Sequence, residues 1–99
     1  MAAMMILEFE ALDSSTYDAV NKALGIDPHD PASDWPAGML SHQAGATDNG
    51  GWAVVETWDS QASQGGFMES RLGPALGGAG VAAQPRVTWI DLVTDTRIG

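Results

Sequence analysis

An Asn-Gly pair set between two alternating runs constrains this chain more than any other feature. From Gly38 the sequence reads Gly-Met-Leu-Ser-His-Gln-Ala-Gly-Ala-Thr-Asp-Asn-Gly-Gly-Trp-Ala-Val-Val-Glu-Thr-Trp-Asp-Ser-Gln, and it continues to Met68 as the start of a helix. Met39 to Thr47 and Trp52 to Trp58 are predicted strands. Asn49-Gly50 is predicted as the central pair of a type I′ turn, which needs positive φ at both positions. That turn sets Thr47 against Trp52, Gly45 against Val54, Gln43 against Glu56 and Ser41 against Trp58 on one face. The other face takes Ala46 with Ala53, Ala44 with Val55 and His42 with Thr57. A bulge at Gly50-Gly51 would slip the register by one residue and re-sort these partners, leaving the division of residues within each strand intact.

The flanking segments extend the pattern. Met4 to Glu10 reads as a strand with Met5, Leu7 and Phe9 on one side and Met4, Ile6 and Glu8 on the other. Asp13-Ser14-Ser15 opens a helix, with Ser15 and Asp18 resembling a capping box. Tyr17, Val20 and Leu24 share one face of it, and Gly25 ends it. Residues Ile26 to Pro36 carry three prolines and form a loop. A second helix runs from Asp59-Ser60 until Gly73-Pro74 breaks it, and Gly77 to Ala83 is a small-residue connection. A last strand spans Arg86 to Val93. The order β-α-β-β-α-β is the split βαβ, ferredoxin-like pattern: an α+β fold with a four-stranded antiparallel sheet in one domain spanning residues 1–99. Two helices cover one face of such a sheet. The other still bears large apolar groups, so a homodimer packed sheet to sheet is expected.

Composition narrows the partners. Thirteen acidic residues against four basic ones leave a net charge of −9. A surface of that sign repels phosphate backbones and anionic lipid, so no nucleic-acid or membrane role is expected. The absence of cysteine removes disulfides and every thiolate metal or redox site. Met1-Ala-Ala-Met-Met-Ile-Leu lacks a basic leader and is interrupted by Glu8, which reads as a cytoplasmic protein.

The β-α-β-β-α-β order, together with Glu56-Thr-Trp58-Asp59-Ser60 and Arg71-Leu72-Gly73-Pro74-Ala75-Leu76, resembles the dimeric α+β barrel superfamily. The resemblance is to small actinobacterial proteins near the antibiotic-biosynthesis-monooxygenase group, and it covers nearly the whole chain. It implies a ferredoxin-like protomer whose sheets form a barrel in the dimer, with a pocket between each sheet and its helices. Members include cofactor-free monooxygenases on polyphenolic or quinol substrates, haem-degrading enzymes, lactone isomerases and polyketide cyclases. Family monooxygenases commonly use an asparagine with a tryptophan and a histidine or tyrosine. The asparagines here are Asn21, on the first helix, and Asn49, in the turn, and neither is on a strand that could face a pocket.

His42 is the first catalytic candidate, as a general base or a phenol-orienting group; a histidine bonded to a neighbouring strand is the plainer alternative. Glu56 is the second, as an acid or base in a partly apolar cavity, or else a carboxylate at the dimer seam bonded to Gln43 or an arginine. Tyr17, Trp52 and Trp58 would shape a pocket for a planar aromatic ligand, or the tryptophans would serve as core. Trp35 is either a lid over the pocket mouth or an anchor for the 26–36 loop. Arg71 could hold an anionic ligand or form a salt bridge. Asp27, His29, Asp30 and Asp34 read as an exposed acidic loop and not a metal site, and no cofactor is expected. The expected function is a cofactor-independent monooxygenase, isomerase or cyclase on an aromatic or polyketide-like substrate. The alternative is a non-catalytic dimeric module that binds a small hydrophobic ligand or a partner. With the type I′ register, Glu56 and His42 lie on opposite faces, which leaves His42 on its own.

Overall fold

The hairpin closes one residue later than a type I′ turn would. In the computed structural model, which describes residues 2–81, 85–96 and 98, the Thr47 N–H donates to the Gly51 carbonyl at 3.0 Å and the Gly50 N–H donates to the Thr47 carbonyl at 3.2 Å. Gly50 has φ of 89°, while no residue other than glycine has positive φ among the described residues. This is a three-residue loop, a type I turn over Asp48-Asn49 followed by a left-handed glycine. Asn49 therefore does not supply the first half of a primed turn.

The extra loop residue corrects the predicted register. Strand β2 (Met39–Ala46) pairs with β3 (Trp52–Trp58) as Ala46 with Trp52, Ala44 with Val54, His42 with Glu56, Gln43 with Val55 and Ser41 with Thr57. His42 and Glu56 are thus direct neighbours on one face, and Gln43 falls on the other. A shift between Met39 and Ser41 sets Met39 against Trp58. That puts Leu40 outside, 57% exposed.

Gly51 makes this closure possible. A Cβ there would lie 2.5 Å from the Phe9 carbonyl oxygen, which belongs to backbone and has little room to give. Gly51→Ala is expected to lower stability by about 2 kcal/mol, the usual scale for overpacking. A urea melt checks it; an unchanged midpoint would show that the turn tolerates the methyl.

The remaining elements give the predicted order. Strand β1 (Ala3–Phe9) lies between β3 and β4 (Arg86–Asp91), antiparallel to both, in a four-stranded sheet of order β2-β3-β1-β4. The strands β1, β2 and β4 end one or two residues before the positions read from sequence. Helix α1 (Ser14–Leu24) is capped by Asp13, which accepts from the Thr16 N–H at 2.9 Å, and not by Ser15 with Asp18. The bonds from Thr16 and Ser15 hold the Asp13 carboxyl below the usual carboxylate range. Its cap is present above that ordinary range and is lost as acid protonates it. Gly25 ends α1 in the left-handed conformation, as expected.

The second helical stretch is longer than predicted. Helix α2 (Gln61–Phe67) passes into one π turn (Met68–Leu72) and then into α3 (Gly73–Gly78), so Gly73-Pro74 does not break it. The Gly73 N–H reaches back to the Met68 carbonyl, and this wider turn admits a proline ring that a regular α-helix would drive into the carbonyl four residues back. Of the expected Gly77–Ala83 connection, Ala82 and Ala83 lie outside the described residues.

The helices cover the face of Met5, Leu7 and Phe9, which with Val54 form the buried cluster of the core. Met4, Ile6 and Val55 share the opposite face and are half-buried, and Ile90 beside Met4 is 40% exposed. Among the described residues, no helix is long and apolar enough to cross a membrane.

Candidate active site

Strand register brings the two catalytic candidates together. Glu56 sits on the helix-facing side of β3, where only its hydrogen bonds compensate for lost water. Its Oε1 accepts the Trp58 indole N–H at 3.1 Å, and its Oε2 lies 2.9 Å from His42 Nδ1. The Glu56 and His42 side chains are 6% and 11% exposed. With Glu56 as acceptor, the imidazole carries its proton on Nδ1 and presents Nε2 as a base.

That Nε2 is already engaged. The Tyr17 hydroxyl, from the first turns of α1, stands 2.5 Å from it, with the two rings nearly parallel at 15° and centroids 6.0 Å apart. Tyr17 therefore donates to His42, which is held in turn by Glu56 and Trp58. Burial pushes the Tyr17 phenol above its ordinary pKa, and the charges of Glu56 and Asp18 add to the effect. The phenol keeps its proton at neutral pH.

This chain of groups forms one wall of a cavity of about 70 Å³ between sheet and helices, otherwise lined mainly by apolar side chains such as Leu7, Phe9, Val20 and Phe67. Trp52 and Trp35 complete it. The Trp52 ring lies 5.3 Å from that of Tyr17, and the Trp35 ring 5.0 Å from that of His42. Trp35 is tied down by its indole N–H, which donates to the Asp30 carbonyl at 2.9 Å. It also lines a second, outer cavity of about 350 Å³ with Pro28, Pro31 and Leu40, into which His42 reaches as well. Trp35, with Met39 and His42, thus stands between two spaces. The acidic side chains of its loop fold the loop itself: Asp27 accepts from the His29 N–H and Asp30 from the Ala32 N–H.

Of the residues singled out in the sequence, Tyr17, Trp35, His42, Trp52 and Glu56 converge on the inner cavity. Trp58 does not line it; it is fully buried behind Glu56 and packs on Phe67. Arg71 lies outside, donating to the Leu24 carbonyl at 3.0 Å and pairing with Asp34 at 3.5 Å, its guanidinium over the Phe67 ring. Asn21 corrects a further expectation. It is buried and lines the cavity from α1, its amide donating to the Tyr17 carbonyl at 3.2 Å. Its spacing of four from Tyr17 on the same helix face was the available signal.

No family model and no curated protein matches the chain, but solved structures do. Rv0793 from Mycobacterium tuberculosis superposes with a TM-score of 0.71 at 14% identity over 98% of this chain and 100% of its own. An antibiotic biosynthesis monooxygenase, so assigned, from Chloroflexus aurantiacus gives 0.65 at 19% identity with both chains fully covered. SnoaB, a cofactor-independent oxygenase from Streptomyces nogalater, gives 0.65 at 6% identity over 95% of each chain. At these identities it is architecture that is shared: this chain has the ferredoxin-like α+β fold of the antibiotic-biosynthesis-monooxygenase proteins.

Proposed function

We propose that this protein is a cofactor-independent enzyme that removes a proton from an aromatic or polyketide-like substrate held between sheet and helices. The Tyr17–His42–Glu56 chain at the wall of an apolar cavity carries this reading. The acidic proton of the substrate, from a hydroxyl or from the enol form of an anthrone, passes to the Tyr17 oxygen as Tyr17 gives its own proton to His42 Nε2, and the resulting imidazolium is stabilised by Glu56. Oxygenation, isomerisation and cyclisation of such substrates all start from the anion this leaves. SnoaB, with the same fold, is a cofactor-independent oxygenase. The acting unit is a homodimer, a reading supported by the face of Met4, Ile6, Val55 and Ile90, whose apolar groups no helix covers among the described residues.

The inner cavity of about 70 Å³ is far below the several hundred that a drug-sized ligand fills. The substrate enters by displacing Trp35, which opens the inner space to the outer one. Trp35→Ala is expected to speed association of an aromatic probe such as anthrone about tenfold, read by stopped-flow quenching of tryptophan fluorescence. An unchanged rate would remove Trp35 from the entry route.

The test of function is oxygen uptake and anthraquinone formation from anthrone, with sedimentation to check the dimer. Turnover above the uncatalysed rate supports the enzyme. Saturable binding without turnover or proton transfer supports the second reading, a ligand-binding module.

A further inference from the structure

The turn that closes the hairpin holds a reactive arrangement remote from the cavity. Asn49 and Gly50 are both exposed at its tip, and asparagine side chains are among the thermally labile groups of proteins. Thr47 reaches across the turn to Asn49. Its hydroxyl oxygen accepts the Gly51 N–H at 2.9 Å and donates to Asn49 Oδ1 at 2.5 Å. A hydroxyl has one proton to give. Here it is committed to the side-chain carbonyl, where it draws electron density from Cγ. The Gly50 nitrogen can close a five-membered ring on that carbon, and its surroundings are open: even a Cβ on Gly50 would meet nothing within 4 Å. Its N–H makes a long bond of 3.2 Å to the Thr47 carbonyl, which is readily given up. Asn21, the other asparagine of the chain, is buried in α1 and followed by Lys22 in place of glycine.

We propose that Asn49 is a self-modifying site, deamidated by its own turn with the Thr47 hydroxyl as promoter, and that its isoaspartyl product loosens the hairpin closure. The Gly50 nitrogen loses its proton to water and bonds to Asn49 Cγ. The negative charge that develops on Oδ1 is held by the Thr47 hydroxyl, the role of an oxyanion donor. The bond from Cγ to the side-chain nitrogen then breaks, and ammonia leaves with a proton taken from water. Water opens the resulting cyclic imide at either carbonyl, giving aspartate or isoaspartate. The whole change consumes one water and releases one ammonia. Aspartate keeps the main chain as it was. Isoaspartate adds one carbon to the main chain inside a loop whose length is set by the bonds of Thr47 to Gly50 and Gly51. That closure is the one that places His42 against Glu56, so the modification bears on the site whatever the cavity binds.

The test ages the purified full chain in warm, mildly alkaline buffer. Conversion is followed by anion exchange, which resolves the added negative charge, and by peptide mass. Isoaspartate is scored by methyl transfer from a protein isoaspartate methyltransferase. Asn49 should convert while Asn21 does not. Thr47→Val keeps the shape of the side chain and removes the hydroxyl; it should slow conversion about tenfold, less than a lost oxyanion donor costs in a buried site. Thr47→Ser should restore the wild-type rate. A Thr47 that merely stiffens the turn predicts the opposite sign, since loosening the tip would then speed the reaction. One comparison needs no variant: the folded wild type should convert faster than the same chain in urea. The isoaspartyl fraction should melt below the aspartyl one. An intact Asn49, a Thr47→Val rate equal to or above wild type, a Thr47→Ser rate no better than Thr47→Val, or slower conversion in the folded state would each overturn the promoted site. Equal melting of the two products would overturn its effect on the closure.

Discussion

His42→Ala is expected to cut anthrone turnover by about a thousandfold, within the range contributed by a positioned base. The same change leaves the buried Glu56 with one donor instead of two and the Tyr17 hydroxyl without its acceptor. Stability should therefore fall by about 2 kcal/mol, which a folded domain survives. Glu56→Gln separates catalysis from folding. The glutamine oxygen can still accept from Trp58, and its amide then donates to His42 Nδ1, so the ring must move its proton to Nε2. Nε2–H and the Tyr17 O–H would then both be donors, and the base is gone with the structure nearly unchanged. Holding a catalytic histidine in the wrong tautomer is known to cost about ten-thousandfold in a serine protease. Glu56→Gln should thus match His42→Ala in turnover while melting close to wild type. Wild-type turnover in either variant would sink the relay.

Trp58→Ala should have the largest effect on folding. The side chain is fully buried, its ring 5.8 Å from that of Phe67, and its N–H is one of two donors to Glu56. Emptying such a position costs about 3–5 kcal/mol, a large part of the 5–15 kcal/mol typical of a domain. For a chain of this size, that is a fall of about 20 °C in Tm. Trp58→Phe retains most of the volume and should recover most of the midpoint, leaving the smaller penalty of one missing donor. A Trp58→Ala protein that melts like wild type would mean the core has collapsed around the gap.

The architecture was legible because period-two alternation and helix spacing survive small errors of placement. Met5, Leu7 and Phe9 face the core whichever turn closes the hairpin, and Tyr17, Val20 and Leu24 face the sheet whichever residue caps the helix. The site was less legible because it depends on the turn. Asn49-Gly50 suits two loop lengths, and the longer one seats Gly51 against the Phe9 carbonyl, on a strand 42 residues earlier in the chain. One residue of slip separates a histidine opposite a threonine from a histidine opposite a glutamate. Gly73-Pro74 misled for a related reason: a proline stops a helix of regular pitch, and local widening to a π turn cannot be read from spacing. Asn21 is not legible as a pocket residue from strand alternation, because it reaches the cavity from α1.

The left-handed Gly50 and the close-fitting Gly51 make loop length a determinant of chemistry. Closing the same segment on a two-residue Asn49-Gly50 turn would leave every side chain of the site in the chain and still dissolve the site, since His42 would then meet Thr57. Among descendants of this sequence, a substitution at the hairpin tip that changes which turn closes it is therefore a functional mutation. Divergence of activity within such a lineage can proceed at a solvent-exposed turn, with no substitution at any residue that lines the cavity.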